Sequence, residues 1–176
     1  MAHTAFIVAA LALCVATVSA QTPAAQNPIS GGQKFLYTMA KNYIVQAAAK
    51  MPEENYSFKP TPEVRSFGQL IGHIADAQYL FCSAVLGQPN PAPGIEKSKT
   101  TKTELVQALK DAFAYSDMAY DGMTDAQAAT LVKFFGRDQA KVTVLAFNTA
   151  HNNEHYGNIV TYLRMKGLVP PSSERR

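Results

Sequence analysis

The stretch 139–166, QAKVTVLAFNTAHNNEHYGNIVTYLRMK, decides the fold. It reads as one long helix, with Gly167 placed just past its end and Pro170-Pro171 barring continuation. Within it, His151 and His155 stand four residues apart, a spacing that turns the side chain by about 40° and rises about 6 Å, so both imidazoles leave the same face. Asn148 and Asn158 extend that face at a period of about 3.6 residues, which sets a polar stripe inside an apolar helix. Burying such a stripe is costly unless its groups are ligated or hydrogen-bonded.

A helix of that length needs neighbours, and the rest of the chain supplies them. Ser66 is a good N-cap for a helix from Phe67 to Leu86, ended by Gly87 and Pro89, with Phe67, Leu70, Ile71, Ile74, Ala77, Leu80 and Phe81 apolar. Thr101 or Thr103 opens a third helix running to about Tyr120, with Leu105, Leu109, Phe113 and Met118 in its stripe. A first helix spans about Gln33 to Lys50, where Phe35, Leu36, Met39, Tyr43, Ala47 and Met51 recur at threes and fours. Thr124 caps a short helix from Asp125 to about Leu131, and Phe134 to Asp138 reads as a turn or brief extended piece with Gly136 in the bend. Prolines at 52, 60 and 62 make the segment from Pro52 to Arg65 an ordered loop with Tyr56 and Phe58 tucked inward, and prolines at 89, 91 and 93 make 88–100 a second loop. The expected fold is all-α: a four-helix bundle with a short extra helix before the last long one.

The N-terminus is a different kind of sequence. Ala5 to Val18 carry no charge, and Val18-Ser19-Ala20 before Gln21 form a small-residue cleavage signature, so residues 1–20 read as a signal peptide and the product as exported, periplasmic or secreted. The run is shorter than the roughly 20 apolar residues that span a bilayer, so no stable membrane insertion is expected. Residues 21–30 read as a flexible leader and 31–176 as one domain. After cleavage one cysteine remains, Cys82, in an apolar stretch where a buried thiol is expected; the bundle must hold by packing or by a metal. The net charge of +3 is modest. Lys97, Lys99, Lys102 and Lys110 alternate with Glu96, Glu104 and Asp111 as a solvated face, which argues against nucleic acid as a partner.

Beyond the signal there are three histidines, His73, His151 and His155. A single histidine on an apolar face is ordinarily a core group bonded to a carbonyl. Here the i,i+4 pair can hold one ion, because Zn–N bonds are only about 2.0–2.1 Å, and His73, midway along its helix, is the histidine left to complete the set. Gly72 beside it, with Gly68 a turn earlier, costs about 1 kcal/mol each in helix propensity, which points to close backbone approach at the site. The string His151-Asn152-Asn153-Glu154-His155 also fits the H-x-x-E-H protease pattern, with Glu154 as general base. That pattern takes a third ligand from an acid well downstream, where Glu174 alone follows, so Glu154 is read instead as a partner to an imidazole N–H or as a solvated charge.

At these residues the chain resembles DinB/YfiT-like proteins. Residues 56–73, YSFKPTPEVRSFGQLIGH, resemble the first half of that family, and 151–171, HNNEHYGNIVTYLRMKGLVPP, its last helix and tail. The resemblance implies a four-helix bundle whose histidine triad, here His73, His151 and His155, holds one divalent transition metal, zinc or nickel. It also implies kinship with thiol-dependent transferases and isomerases, so a small-molecule substrate or a thiol is the expected partner, and a homodimer is compatible with it. Two function classes follow. In a metalloenzyme of the thiol-dependent transferase or hydrolase type, three protein nitrogens leave one coordination position open. In a non-catalytic stress or structural protein, the metal only ties helices together. A solvent-reachable pocket lined by Asn148, Asn152 and Tyr156, with Asn158 on the same stripe, is the expectation under the first.

Overall fold

The computed structural model describes residues 26–174; the expected signal peptide, 1–20, and most of the expected leader lie outside the described residues. Four long helices carry the molecule: α1 Pro28–Lys50, α2 Phe67–Leu86, α4 Lys102–Tyr120 and α6 Lys141–Met165. Between them lie one-turn helices α3 Ile95–Ser98 and α5 Asp125–Ala128, and a hairpin of β1 Leu131–Phe134 and β2 Arg137–Ala140. The long helices pack α1 on α6, α6 on α2, α2 on α4 and α4 on α1. Successive helices α1 and α2, like α4 and α6, therefore sit diagonally, and the chain between them must cross an end of the bundle. Among the described residues no helix is long and apolar enough to cross a membrane.

Local chemistry sets the helix ends. Ser66, Thr101 and Thr124 each accept from the backbone N–H three residues on, and Gln69, Glu104 and Gln127 reach back in reciprocated capping boxes. Thr101 starts α4 in preference to Thr103 because Glu104 stands where its box requires. At the far end of α6, Leu168 N–H donates to Leu163 O and Gly167 N–H to Arg164 O, with Gly167 at φ 72°, the C-terminal lock that only glycine enters freely. The proline-rich loop before α2 is ordered as expected: Tyr56 is buried and donates to Ala48 O at 2.7 Å, and the carbonyls of Tyr56 and Phe58 accept from Gly68 and Phe67 N–H.

The first helix differs from expectation in start and in face. Pro28 is its first residue, so the leader ends before 28 rather than at 30. The Asp125 carboxylate accepts from Ile29 and Ser30 N–H, while Asn27 Oδ1 accepts from Asp125 N–H, so α1 and α5 cap each other. The buried face carries Tyr37, Ala40, Ile44, Ala47, Ala48 and Met51, whereas Phe35, Leu36 and Met39 are exposed. The helix is apolar on two sides, and Tyr37 decides between them. Its ring stacks on Tyr120 at 3.8 Å and its hydroxyl donates to Phe113 O and Asp117, so burial on that side satisfies ring and hydroxyl together. Met118 and Leu80, expected inside, are also exposed.

The other departures lie in the connections. α5 ends at Ala128, and 131–140 form a hairpin, for which four-residue strands gave no pattern long enough to read. Phe135 at φ 47° and Gly136 at φ 76° make its two-residue turn left-handed at both positions, which matches the twist of paired strands. Within 88–100, the Asp76 carboxylate of α2 accepts from Gly94, Ile95 and Glu96 N–H at 2.7–2.9 Å and so winds α3 against α2. Gly72 permits this contact. A Cβ there would lie 2.7 Å from Glu96 Cα and 3.1 Å from its nitrogen, both backbone atoms.

Two glycines inside helices, Gly72 and Gly157, should thus respond oppositely to alanine. At Gly157 nothing lies within 4 Å of the added carbon, and Gly157→Ala should stabilise by about 0.5–1 kcal/mol. Gly72→Ala should destabilise by about 1–3 kcal/mol despite the same propensity gain, because α3 must move. Urea unfolding of both variants checks this; equal stabilisation would show that the α2–α3 contact is slack.

Candidate metal centre

The helix α2 places His73 midway along its length, and α6 places His151 and His155 one turn apart on the face that meets α2. The α2–α6 packing brings the three imidazoles together. His151 Nε2 lies 3.2 Å from His73 Nε2 and 3.0 Å from His155 Nε2. All three ligand atoms fall within 4.8 Å of one another. Nitrogens bound tetrahedrally to one zinc at about 2.0–2.1 Å stand about 3.3 Å apart, so the observed spacing suits a shared ion with little movement.

Electrostatics keep the lone pairs available. Burial, reinforced by the neighbouring imidazoles, lowers His151 to about 4; burial, His73 and the Arg65 cation lower His155 to about 4. His73 is lowered by burial and then by Arg65, against the opposing pull of Glu96, Asp76 and Glu154. Neutral rings are the form that ligates a metal.

The rings are also oriented from behind. Glu96 Oε2 sits 3.5 Å from His73 Nδ1, and a proton held on Nδ1 there leaves Nε2 as the lone-pair nitrogen. Glu96 is itself held by Arg65, whose Nε donates to it at 3.0 Å, and by the Asp76 clamp on the backbone of α3. The amide of Asn158 lies 3.4 Å from His155 Nδ1. Nδ1 of His151 is buried and has no hydrogen-bond partner among the described residues. Glu96, expected on a solvated face, and Asp76 have roles that sequence did not reveal, because the one-turn helix that joins them is made by a tertiary contact.

The expected pocket residues divide. Asn158 lines a cleft beside His155, together with Arg65, Glu63, Glu154 and Tyr162. Asn148 and Asn152 do not line a pocket: both are fully buried. Gln78 Nε2 donates to Asn152 Oδ1 at 2.6 Å, and Gln78 Oε1 accepts from Asn148 and Ser116. Their polarity serves a hydrogen-bonded layer joining α2, α4 and α6. Tyr156 is buried as well, stacked on Tyr43 at 5.3 Å with its hydroxyl accepting from Ser172 N–H. Glu154 is exposed at the cleft rim. Cys82 is buried and its thiol is pushed up to about 12, mainly by desolvation, which makes it inert as a nucleophile.

The triad stands between two openings. The cleft beside His155 is charged and about 540 Å³ in volume. On the other side, His73 and His151 form part of the wall of an apolar cleft of about 480 Å³. The site is therefore open to small molecules from two directions, through residues that, Asn158 apart, are not those the sequence suggested.

Comparison with known proteins agrees with this architecture. A family model described as the DinB superfamily matches residues 36–159. The uncharacterized protein YjoA of Bacillus subtilis (strain 168) is 27% identical over 130 residues, covering 72% of this chain and 84% of YjoA. The crystal structure of YjoA aligns with a TM-score of 0.66 at 23% identity, over 85% of this chain and 100% of that one. A DinB-like protein from Bacillus cereus ATCC 10987 aligns with a TM-score of 0.71 at 20% identity, over 80% and 95% of the two chains. A mutant of a mycothiol-dependent maleylpyruvate isomerase shares the fold at a TM-score of 0.62 and 13% identity, over 74% of this chain and 60% of that one. With the family model spanning most of the bundle and the histidine triad assembled inside it, the chain belongs to the DinB superfamily.

Proposed function

We propose that this chain is an exported metal-dependent enzyme of the thiol-dependent transferase or hydrolase type, holding one zinc or nickel ion on His73, His151 and His155. The observation that carries the reading is the convergence of three neutral Nε2 atoms between two clefts that open to solvent. Three protein nitrogens with access from outside are the mark of a catalytic site, whereas structural zinc sites close their fourth position with protein. When bound, such an ion supplies Lewis acidity toward a water or a thiol.

The chain's own residues do the remainder. Glu96 holds the ring of His73 from its outer nitrogen, and the Asn158 amide lies beside the outer nitrogen of His155. Arg65 faces the charged cleft, where its guanidinium suits the anionic end of a substrate. A small-molecule thiol is in keeping with the mycothiol dependence of one distant structural neighbour, and a homodimer with the apolar residues left exposed on α1. A metal that merely ties α2 to α6 is the lesser reading, because Gln78 and Asn152 already join those helices through a buried hydrogen bond beside a continuous apolar core.

Protein purified without a histidine tag should carry about one transition metal per chain, with most of it lost in His151→Ala. Metal content unchanged after alanine replacement of all three histidines would place the site elsewhere. Chelation should lower stability only by the binding contribution, a few kcal/mol at about a hundred- to thousand-fold excess over Kd, with far-ultraviolet circular dichroism preserved. A thiol added to the cobalt-substituted protein should shift its visible spectrum. Loss of helicity on chelation with a silent thiol titration would favour the tying role.

In metal-free protein, His151 and His155 protonate near 4 when folded and near 6.5 when unfolded. The unfolded chain therefore takes up protons first as pH falls, and stability should drop between about 6.5 and about 4, then level off with respect to these groups. Thermal melts of chelator-treated protein across that window should show the fall, and a variant with His151→Gln and His155→Gln should flatten it. Export is tested separately by mass spectrometry of the native product, which should begin at or near Gln21; an intact Met1 would refute it.

A further inference from the structure

The apolar cleft on the His73/His151 side has a composition that the proposed chemistry does not require. Leu80, Phe135 and Phe147 surround it with relative exposures of 50, 67 and 42%, and Phe81 forms its floor. These residues come from three separate elements: α2, the turn of the β1–β2 hairpin, and α6. The rings stand edge to face, Phe81 to Phe147 at 5.2 Å and 81°, Phe135 to Phe147 at 5.9 Å and 81°, and Phe81 to His151 at 5.3 Å and 88°. A slot walled in this way accepts another flat ring, face against edge, better than it accepts a chain.

The side-chain carboxylate and amide oxygens around the cleft are already committed. Asp76 gives both carboxylate oxygens to the backbone of α3, and Asn90 Oδ1 accepts from Ala92 N–H. A ligand therefore meets apolar surface along the walls and imidazole at the inner end. The volume of about 480 Å³ lies within the roughly 300–1,000 Å³ of small-molecule sites, whose walls are mostly apolar with a few placed polar groups. The opposite cleft, beside His155, is lined by Arg65, Glu63, Glu96 and Glu154. The two approaches to the triad thus differ in character.

We propose that the cleft walled by Leu80, Phe81, Phe135 and Phe147 is the specificity subsite of the centre, taking an aryl group of a small molecule whose polar end reaches His73 and His151. The proposal rests on the metal-centre reading for the role of that polar end, though not for the cleft's affinity for the ring. It assigns the hairpin a function, since Phe135 reaches the cleft only through the left-handed turn at Phe135-Gly136.

Two titrations test it. In the cobalt-substituted protein, benzohydroxamate should bind at least about tenfold more tightly than acetohydroxamate, read from the visible spectrum, since burying a phenyl ring is worth more than one factor of ten. Leu80→Gln and Phe147→Gln, both at half-exposed helix positions, should reduce that preference several-fold. Phe35→Gln, on the exposed face of α1, should leave it unchanged. In chelator-treated protein, the neutral probe N-phenyl-1-naphthylamine should show saturable fluorescence at one site per chain, weakened in the same two variants and retained in Phe35→Gln. Cobalt binding without an aryl preference would overturn the subsite while leaving the metal centre standing. Failure to bind cobalt, with probe binding lost in the cleft variants, would refute the metal centre and uphold the cleft. Probe binding that survives both cleft substitutions would overturn the proposal whatever the metal result.

Discussion

Three imidazole nitrogens on two helices, with His151 Nε2 3.0–3.2 Å from each of the other two, are the constraint to which the rest of this molecule answers. Neutral rings with lone pairs directed at one point gain nothing from mutual approach, so the frame must hold them there. It does so on both sides of the α2–α6 seam. Gln78 lies little more than a turn beyond His73 and bonds Asn152, the neighbour of His151, which fixes the helices' relative height. Outside the seam, Gly72 lets the backbone of α3 close on α2, Asp76 holds it there, and Glu96 is thereby delivered to the far nitrogen of His73. One glycine and one carboxylate, neither a ligand, determine where a ligand points.

That division explains what the sequence could show. The helix boundaries set by local caps were legible, since Ser66, Thr101, Thr124, Gly87 and Gly167 each act within a few residues of themselves, whereas the start of α1 was not. The His151–His155 pair was legible for the same reason, and His73 followed once a third nitrogen was required. The buried face of α1 was not legible. The helix is apolar on two sides, and the choice depends on Tyr120 and Asp117 meeting Tyr37, partners some 80 residues away. Asn148 and Asn152 share the stripe of the histidines, and periodicity cannot tell a ligand from a core amide; only Gln78, arriving from α2, gives them their role. The one-turn helix α3 and the hairpin are short elements made by tertiary contact, and the signals that mark long elements pass over them.

Membership of the DinB superfamily fixes the bundle and leaves the approaches to its centre open. Structural neighbours at 13 to 23% identity share the arrangement of the helices. The surroundings of the triad in this chain come largely from the connections: the proline-rich loop supplies Arg65, the 88–100 segment supplies Glu96, and the hairpin supplies Phe135. A rigid four-helix frame with its site chemistry carried on crossovers is an arrangement in which chemistry can change without disturbing the core.

The diagonal placement of successive helices has a consequence for assembly. Because α1 packs on α6 rather than on α2, the two ends of the described chain are joined in the finished bundle, and contacts such as Tyr162 hydroxyl to Arg65 O span 97 residues. Helical bundles wired through neighbours close from local contacts and fold quickly, whereas long-range closure slows the search. Here the helix that completes the bundle is made after the other three long helices, and it carries two of the three nitrogens. Of the three ligand histidines a partly made chain displays His73 alone, so the capacity to hold an ion arrives in the same step as the closed core.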